Sequence, residues 1–406
     1  MIPVEGSPQV LLLRDSEEVR AALTRGGVSP GGVDLMVGKG LFRLITVSGL
    51  DVRVANILRQ EMLSRGGEVA VSREVYELVG QKADCLIMGT LAQYEQLLPK
   101  LREQPFDLGS LAEGIEKALR NYDDRSPRVP RGLDLSRAPL LMGVLNITPD
   151  SFSDGGSFDD LDDAVAAGLA LAEDGADLVD VGGESTRPGA DYVGEGEEIE
   201  RILPVVKALG THLPGRVSVD TYKSAVAARA LEAGAYMIND ISALRMDPEL
   251  VAVVRDADCP VVLMHMQGVP RTMQDAPTYD DVVKEVYRFL VERLNWAVDN
   301  GLREENLLVD PGIGFGKTAV HNLEILHNLA AFRSLGRPLV LGTSRKRFLG
   351  SILDLPQPRD RDRATAFTTA LATWEGAHII RAHEVAVNRE AIIVAKALLN
   401  ASTTTL

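Results

Sequence analysis

The sequence predicts a (β/α)8 barrel preceded by a smaller N-terminal α/β domain. Eight short runs rich in Val, Ile and Leu recur between residues 140 and 383, and helix-length stretches separate them. Buried apolar strands that alternate with helices are typical of a parallel sheet with helical crossovers. Each run also leads into polar or charged residues, and a barrel places its active site at the carboxyl ends of its strands. Because 406 residues exceed one barrel, we expect a second domain.

The eight runs define the predicted barrel strands. In chain order they are LLMGVL, DLVDVG, RVSVD, AYMIND, PVVLMH, LLVD, PLVLG and AHIIRAH. We assign residues 139–400 to the barrel. Residues 126–138, which contain two prolines and three arginines, are predicted to be a linker.

Residues 1–125 are predicted to form the small α/β domain. Its strands are RLITV, EVAVS and DCLIMG; a helix in DVRVANILRQEMLSRGG follows the first strand, and a short helix follows the second. Two further helices, Ala92–Glu103 and Leu108–Arg120, are expected to close the domain. It shows no constellation of catalytic residue types, so packing, oligomerisation and ligand binding all stay open as its role.

Composition and charge exclude several classes of protein. The 45% hydrophobic and 25% charged residues are typical of a soluble globular protein. No apolar run approaches the roughly 18 residues that span a bilayer, and the N-terminus does not resemble a signal peptide. We therefore expect a cytoplasmic protein without a membrane part. The net charge of −15 argues against a nucleic-acid partner. Cys85 and Cys259 are expected to be buried free thiols.

Two polar loops follow the first two predicted strands. Asn146 ends the first strand, and the long loop TPDSFSDGG after it is more typical of a binding loop or lid than of a simple connection. The second loop, GGESTRPGA, combines a close backbone approach with the hydroxyl of Thr186 and the guanidinium of Arg187. This combination suits a phosphate or diphosphate.

Asp220, Asn239 and Asp310 end the third, fourth and sixth strands, or lie one residue before the end. Two carboxylates and an amide suit a flat heterocycle with several N–H donors, such as a pterin or a guanine-like ring. A set of internal hydrogen bonds that caps the barrel is the alternative. The loop DPGIGFGK is not a Walker A motif; we expect its glycines to let the backbone approach a ligand, with Phe315 offering a ring face.

The motifs GTSRKRFLG and IIRAHEV supply the expected cations, namely Arg345, Lys346, Arg347, Arg381 and His383. Arg381 and His383 share one face of an extended segment, which favours anion binding by both. No spacing of His, Cys, Asp or Glu resembles a zinc site, so we do not expect a metal site built by the protein alone.

These motifs, in this order, resemble the dihydropteroate synthase family. The resemblance covers about residues 138–398 through LNITPDSFSDGG, ESTRPGA, SVDTYK, IND, LMHMQGVPRTMQ, DPGIGFGK, GTSRKRF and RAHEV. It implies a transferase of folate biosynthesis, a sulfonamide target, that joins p-aminobenzoate to 6-hydroxymethyl-7,8-dihydropterin diphosphate. It also implies an electrostatic mechanism without a covalent nucleophile.

The resemblance further implies a role for each matched residue. The pterin would be held deep in the barrel by Asp220, Asn239, Met264, Asp310 and Lys346. The diphosphate would be held by Asn146, Arg381 and His383, with Asn146 acting partly through Mg²⁺. The p-aminobenzoate side would be shaped by Phe152, Thr186, Arg187, Pro188, Phe315 and Ser344. Catalysis would depend on Asp220, Asp310, Lys346, Arg381 and His383.

The chain departs from the family pattern in three places. Glu384 stands where Asp is more frequent, Arg347 stands where a smaller polar residue is common, and the first 135 residues lie outside the pattern. Two alternatives stay open: the folate-binding domain of a corrinoid-dependent methyltransferase, and a non-catalytic pterin-binding protein. A homodimer is expected, with the C-terminal helix Arg389–Leu399 as a candidate interface.

Overall fold

The computed structural model describes residues 9–124, 130, 132–147, 161–187 and 189–401. The chain divides into two compact units. One contains the described residues up to Asp123, and the other spans Asp124–Leu398.

The first unit is an α/β domain built on a three-stranded antiparallel sheet. The strands are β1 (Phe42–Asp51), β2 (Glu68–Val71) and β3 (Lys82–Thr90), in the order β1-β3-β2. The helices are α1 (Ser16–Arg25), α2 (Pro30–Met36), α3 (Val52–Leu63), α4 (Arg73–Glu77), α5 (Leu91–Arg102) and α6 (Leu108–Asp123). Side chains such as Leu58, Ile87 and Leu97 form its buried core. The predicted strands and helices are confirmed, whereas α1 and α2 were not predicted.

The second unit contains eight parallel strands. They are β4 (Leu140–Asn146), β5 (Leu178–Gly182), β6 (Val217–Asp220), β7 (Met237–Asp240), β8 (Val261–Met264), β9 (Leu307–Asp310), β10 (Val340–Leu341) and β11 (Ile379–Ala382). Their order is β10-β11-β4-β5-β6-β7-β8-β9, and a parallel bridge between Val309 and Leu339 joins the two ends of the sheet. The predicted (β/α)8 barrel is confirmed.

The barrel helices pack on the outer face of the strands. They are α7 (Leu161–Glu173), α8 (Glu195–His212), α9 (Ser224–Glu232), α10 (Leu250–Ala257), α11 (Val282–Asp299), α12 (Ala319–His327), α13 (Arg347–Leu353), α14 (Asp362–Glu375) and α15 (Val385–Ala401). Outward strand residues such as Val179, Val219 and Leu307 are buried in one continuous core with helix residues. Each fully buried side chain of this size stabilises the fold by about 1.5–3 kcal/mol.

Strand alternation divides the barrel interior into an apolar lower part and a polar upper part. In β9, Leu307 and Val309 lie in the outer core, whereas Leu308 lies in the inner apolar cluster and Asp310 follows it on the same face. Leu133, within the predicted linker, is buried in that inner cluster as well. The inner cluster therefore fills the lower part, and the polar side chains that follow it on the strands lie above it.

None of the described helices is both long and apolar enough to cross a membrane. Cys85 and Cys259 are both free and buried.

Candidate active site

Inward-facing polar side chains from five strands meet at the carboxyl end of the barrel. They are Asp180 of β5, Asp220 of β6, Asn239 of β7, Asp310 of β9 and Arg381 of β11. The parallel register aligns Asp220 with Asn239, so their side chains leave neighbouring strands at the same height. All five are largely buried, and they form the floor of the site.

Arg381 links two of the carboxylates. Its Nε donates to Asp180 Oδ2 at 2.6 Å, and its Nη2 donates to Asp220 Oδ2 at 2.8 Å. The Asn239 amide donates to the same oxygen of Asp180 at 3.0 Å. Burial lowers the pKa of Arg381, but the Asp180 and Asp220 carboxylates outweigh it and the net pKa is raised. The guanidinium is therefore a fixed positive charge in the site.

Both Asp220 and Asp310 have raised pKa values. Burial raises the pKa of Asp220 to about 7, with the nearby carboxylates of Asp180 and Glu198 adding to it and Arg381 opposing it. Burial raises the pKa of Asp310 to about 6, although its carboxylate accepts a hydrogen bond from the Gly312 N–H at 2.7 Å. Each group can thus change protonation near neutral pH, and a ligand that donates N–H groups would favour the ionised form.

Lys346 faces an apolar wall. Its ammonium lies 4.1 Å from the centre of the Phe315 ring. Phe315 is buried in a cluster with Met264, Met266 and other apolar side chains. Burial lowers the pKa of Lys346 to about 8, because the neighbouring positive charge of Arg381 adds to the effect of burial. An aromatic face beside a cation is suited to a flat ring that carries an anionic substituent.

His383 is not the cation that the sequence predicted, and the charge of Arg345 is paired within the protein. Burial and the Arg345 charge lower the pKa of His383 to about 3, so its imidazole is neutral, and its Nδ1 lies 2.9 Å from Ser344 Oγ. Arg345 makes a bidentate ion pair with Asp362, at 2.7 and 2.8 Å. The prediction of a charged His383 was wrong because it did not account for burial, and no sequence pattern indicated that Asp362 of α14 pairs with Arg345. As a neutral ring, His383 can still form a hydrogen bond with a phosphate oxygen.

The loops that follow β4 and β5 are described in part. Thr186 is half-buried and Arg187 is exposed; the charge of Arg187 nevertheless contributes to the lowered pKa values of Lys346 and His383, so it lies near them. Asn146 ends β4 opposite Gly182 of β5. The predicted site residues Phe152 and Pro188 lie outside the described residues.

The residue types at the site bear on metal binding. Within the described ranges, no group of three or more His, Cys, Asp or Glu side chains is arranged to hold a metal ion. Asn146 offers an amide oxygen at the barrel mouth, and one such ligand suits Mg²⁺ that arrives with a phosphate and keeps most of its waters.

The family model described as pterin binding enzyme matches residues 142–383. Dihydropteroate synthase of Escherichia coli strain K12 is 45% identical over 269 residues, which are 66% of this chain and 94% of that protein. The chain belongs to the dihydropteroate synthase family of pterin-binding enzymes.

Solved structures of dihydropteroate synthases have the same barrel. The Yersinia pestis enzyme in a sulfonamide drug complex is 42% identical, with a TM-score of 0.64 over 68% of this chain and 100% of that chain. The Xanthomonas albilineans enzyme with 4-aminobenzoic acid is 46% identical, with a TM-score of 0.63 over 68% of this chain and 98% of that chain.

One relative matches almost the whole chain. A probable bifunctional folylpolyglutamate synthase/dihydropteroate synthase of Halobacterium salinarum is 40% identical over 381 residues, 94% of this chain. This chain spans only 46% of that protein. The match is too long to be confined to the barrel, so the first unit is also shared with this relative.

Two features of this site were missed from the sequence. Asp180 is fully buried and binds both Arg381 and Asn239. The sequence did contain a signal for it, because Asp180 lies between two apolar residues in DLVDVG. The two-residue alternation of a strand points its carboxylate into the barrel, where a buried charge needs a partner.

The second feature is a buried lysine behind the DPGIGFGK loop. The Nζ of Lys317 lies 2.8 Å from His265 Nδ1, 2.9 Å from the Gly312 carbonyl and 3.0 Å from the Phe315 carbonyl. Gly312 has a φ of +68°, and a Cβ there would lie 1.9 Å from the His265 carbonyl oxygen. Lys317 therefore fixes the loop that places Phe315, and only glycine fits at position 312.

Proposed function

We propose that the protein is a dihydropteroate synthase. It would condense 6-hydroxymethyl-7,8-dihydropterin diphosphate with p-aminobenzoate to give 7,8-dihydropteroate and diphosphate. The observation that carries the proposal is the buried Asp180–Arg381–Asp220 bridge, which puts acceptors for a pterin and a cation for a diphosphate in one site. The names of relatives that are 42–45% identical support the same activity.

Asp220, Asn239 and Asp310 would bind the pterin ring. An aminopyrimidinone ring donates from a ring nitrogen and from its exocyclic amine, and an ionised carboxylate accepts such a pair. The raised pKa values of Asp220, about 7, and Asp310, about 6, mean that ring binding would draw these groups into their ionised forms. The buried negative charge would then favour positive charge that develops on the pterin during the reaction.

Arg381 and His383 would act on the diphosphate, while Lys346 would help to hold the pterin ring. In the reaction the bond from the pterin methylene carbon to the diphosphate oxygen breaks, and the electron pair leaves with diphosphate. The arylamine nitrogen then forms the new bond to carbon and loses one proton. Arg381 would stabilise the departing negative charge, and the neutral His383 would contribute a hydrogen bond.

We also propose that the reaction uses Mg²⁺, held at the barrel mouth by Asn146 and by the substrate. Bound in this way, the ion would neutralise charge on the diphosphate and so make it a better leaving group. The single amide oxygen of Asn146 suits this arrangement, since Mg²⁺ usually keeps several waters.

The proposal is tested by mixing the purified protein with the pterin diphosphate, p-aminobenzoate and Mg²⁺, and measuring dihydropteroate and diphosphate. We expect equal amounts of the two products. Arg381→Ala is expected to make little of either, and Arg288→Ala, which changes an exposed arginine of α11, should match the parent protein. Methyl transfer from methyltetrahydrofolate to a corrinoid without dihydropteroate formation would instead identify a methyltransferase. Pterin binding without turnover would identify a carrier.

We further propose that the protein is a homodimer that uses α14 and α15. A hydrogen bond between Thr369 and Asn388 joins the two helices. Phe367 of α14 is 70% exposed, and Ile393 and Val394 of α15 are 59% and 60% exposed. Covering such apolar surface is favourable. Light scattering after gel filtration should give twice the chain mass, and Phe367→Asp should give one chain mass.

We propose a cytoplasmic location, which the two free, buried cysteines support. Cell fractionation should recover the protein with cytoplasmic markers.

A further inference from the structure

A buried lysine outside the proposed ligand set lies beside the segment that follows β5. The β5–α8 segment is defined as residues 184–187 and 189–193, and it carries Thr186 and Arg187. Lys223 directly precedes α9, three residues after Asp220, and its side chain is 3% exposed. Its ammonium donates to Glu184 Oε2 at 2.8 Å and to the Val193 carbonyl at 2.6 Å. Lys223 therefore contacts both ends of the segment.

Two further contacts close the segment and attach it to α8. The Val193 N–H donates to the other carboxylate oxygen of Glu184 at 3.3 Å. Lys223 also donates to Glu198 of α8, a residue that is 1% exposed, at 2.5 Å. Gly183, just before the segment, lies so close to α8 that a Cβ would be 2.7 Å from the Ile202 side chain and 2.9 Å from Glu198. The Lys223 ammonium thus holds both ends of the segment on α8.

Stability alone does not account for this arrangement. Two carboxylates and one ammonium are taken out of water, and apolar side chains of the same size are often as stabilising as a buried ionic group or more so. Apolar side chains, however, could not form directional hydrogen bonds to both Glu184 and Val193. Thr186 and Arg187 lie between Glu184 and Val193 in the chain. The hydrogen bonds at the two ends therefore restrict the positions that the backbone of Thr186 and Arg187 can take.

We infer that Lys223 is a positioning residue for the arylamine: by joining the two ends of the β5–α8 segment to α8, it sets the position of Thr186 and Arg187, which the resemblance to the family places at the p-aminobenzoate side. The inference rests on the proposed function for the identity of the substrate. It assigns Lys223 no contact with either substrate. Loss of the ammonium should therefore weaken use of p-aminobenzoate more than use of the pterin diphosphate.

The test compares Lys223→Met, the double variant Lys223→Met/Glu198→Gln, and Glu184→Gln. Lys223→Met alone leaves buried carboxylates without their cation, and the Glu198 charge also acts on Asp220. The double variant removes the buried charge of Glu198, and the bonds from Lys223 to Glu184 and Val193 are still absent. Glu184→Gln keeps the shape of the side chain and an oxygen that can accept from the Val193 N–H. It should therefore fold and show a smaller rise of the KM for p-aminobenzoate. Lys207→Met, at an exposed position of α8, is the matched control.

Two readouts separate positioning from general damage. In the double variant we expect the KM for p-aminobenzoate to rise by about tenfold to a hundredfold, as a misplaced binding group would cause. The KM for the pterin diphosphate should stay within about twofold of the parent value. Hydrogen exchange at the Val193 amide should become faster. Lys207→Met should change none of these quantities.

An unchanged KM for p-aminobenzoate in the folded double variant, or an equal rise of both KM values, would overturn the inference. Absence of dihydropteroate from the parent protein would refute the proposed function instead. The exchange rate at Val193 would then still decide whether Lys223 holds the segment, because that measurement needs no turnover.

Discussion

Replacement of Asp220 by Asn is expected to abolish the proposed activity and yet to stabilise the protein above neutral pH. Burial raises the pKa of Asp220 from its ordinary 3.8 to about 7. Between these two values the folded protein binds a proton that the unfolded chain has released. The stability contributed by this group therefore falls as the pH rises from about 4 to 7, and it stays low above 7.

The size of the effect follows from the width of this pH window. At about 1.4 kcal/mol per pH unit, an interval of about three units corresponds to about 4 kcal/mol. Water that enters the site would reduce this value, so we expect a gain of about 2 kcal/mol for a neutral side chain of the same shape above pH 7. For a barrel of this length, that gain raises the melting temperature by about 4 °C. Asn can still accept the hydrogen bond that Arg381 now donates to Asp220 at 2.8 Å.

Differential scanning calorimetry at pH 4.5 and at pH 8 checks the expectation. The melting temperature of Asp220→Asn should exceed that of the parent clearly at pH 8 and only slightly at pH 4.5. Asp280→Asn, at an exposed position, should match the parent at both values. A variant that is destabilised equally at both pH values would show that Asp220 stabilises the fold through its contacts, and the reasoning from burial would be wrong.

Three further predictions concern Arg381, the metal ion and Gly312. Arg381→Ala should lower kcat/KM by about two to three orders of magnitude, because it removes a preorganised charge at the leaving group; it should also lower the melting temperature, since two buried carboxylates lose their partner. Chelation of divalent ions should stop turnover and added Mg²⁺ should restore it, and Asn146→Ala should raise the Mg²⁺ concentration at half-maximal rate. Gly312→Ala should sharply reduce the yield of folded protein, because its Cβ would lie 1.9 Å from a backbone carbonyl oxygen, whereas Gly109→Ala, where the Cβ meets nothing within 4 Å, should be tolerated. Measurements of soluble yield and of melting temperature for Gly312→Ala and Gly109→Ala test this last prediction.

The barrel could be predicted because its signals are local. Each strand is a short apolar run that ends in a polar residue, and parallel strands bring such ends to one side of the sheet. Asp220, Asn239 and Asp310 therefore lie together, as predicted. In the first unit, α1 was missed although Asp15 caps it, Glu17 and Glu18 follow in its first turn, and its C-cap is a glycine.

The contacts that set the charges of the site could not be predicted. Lys317 and His265 are 52 residues apart, and Lys223 and Glu184 are 39 residues apart. No local pattern connects residues at such separations. The neutral state of His383 also depends on burial by elements that are distant in sequence. Sequence reasoning thus found the residue types at the mouth of the barrel but not their protonation states or their supports.

Protonation links the site to the stability of the barrel. Burial lowers the pKa of His265 to about 2 and that of His383 to about 3, while it raises those of Asp220 and Asp310. Near pH 5 the folded protein holds two protons on the carboxyls, and the unfolded chain holds two on the imidazoles. These four groups therefore give almost no slope of stability with pH there. Above about pH 7 the folded protein has released both carboxyl protons. A ligand that donates N–H groups to the two carboxylates then binds without displacing a proton, so it stabilises the protein most in that range.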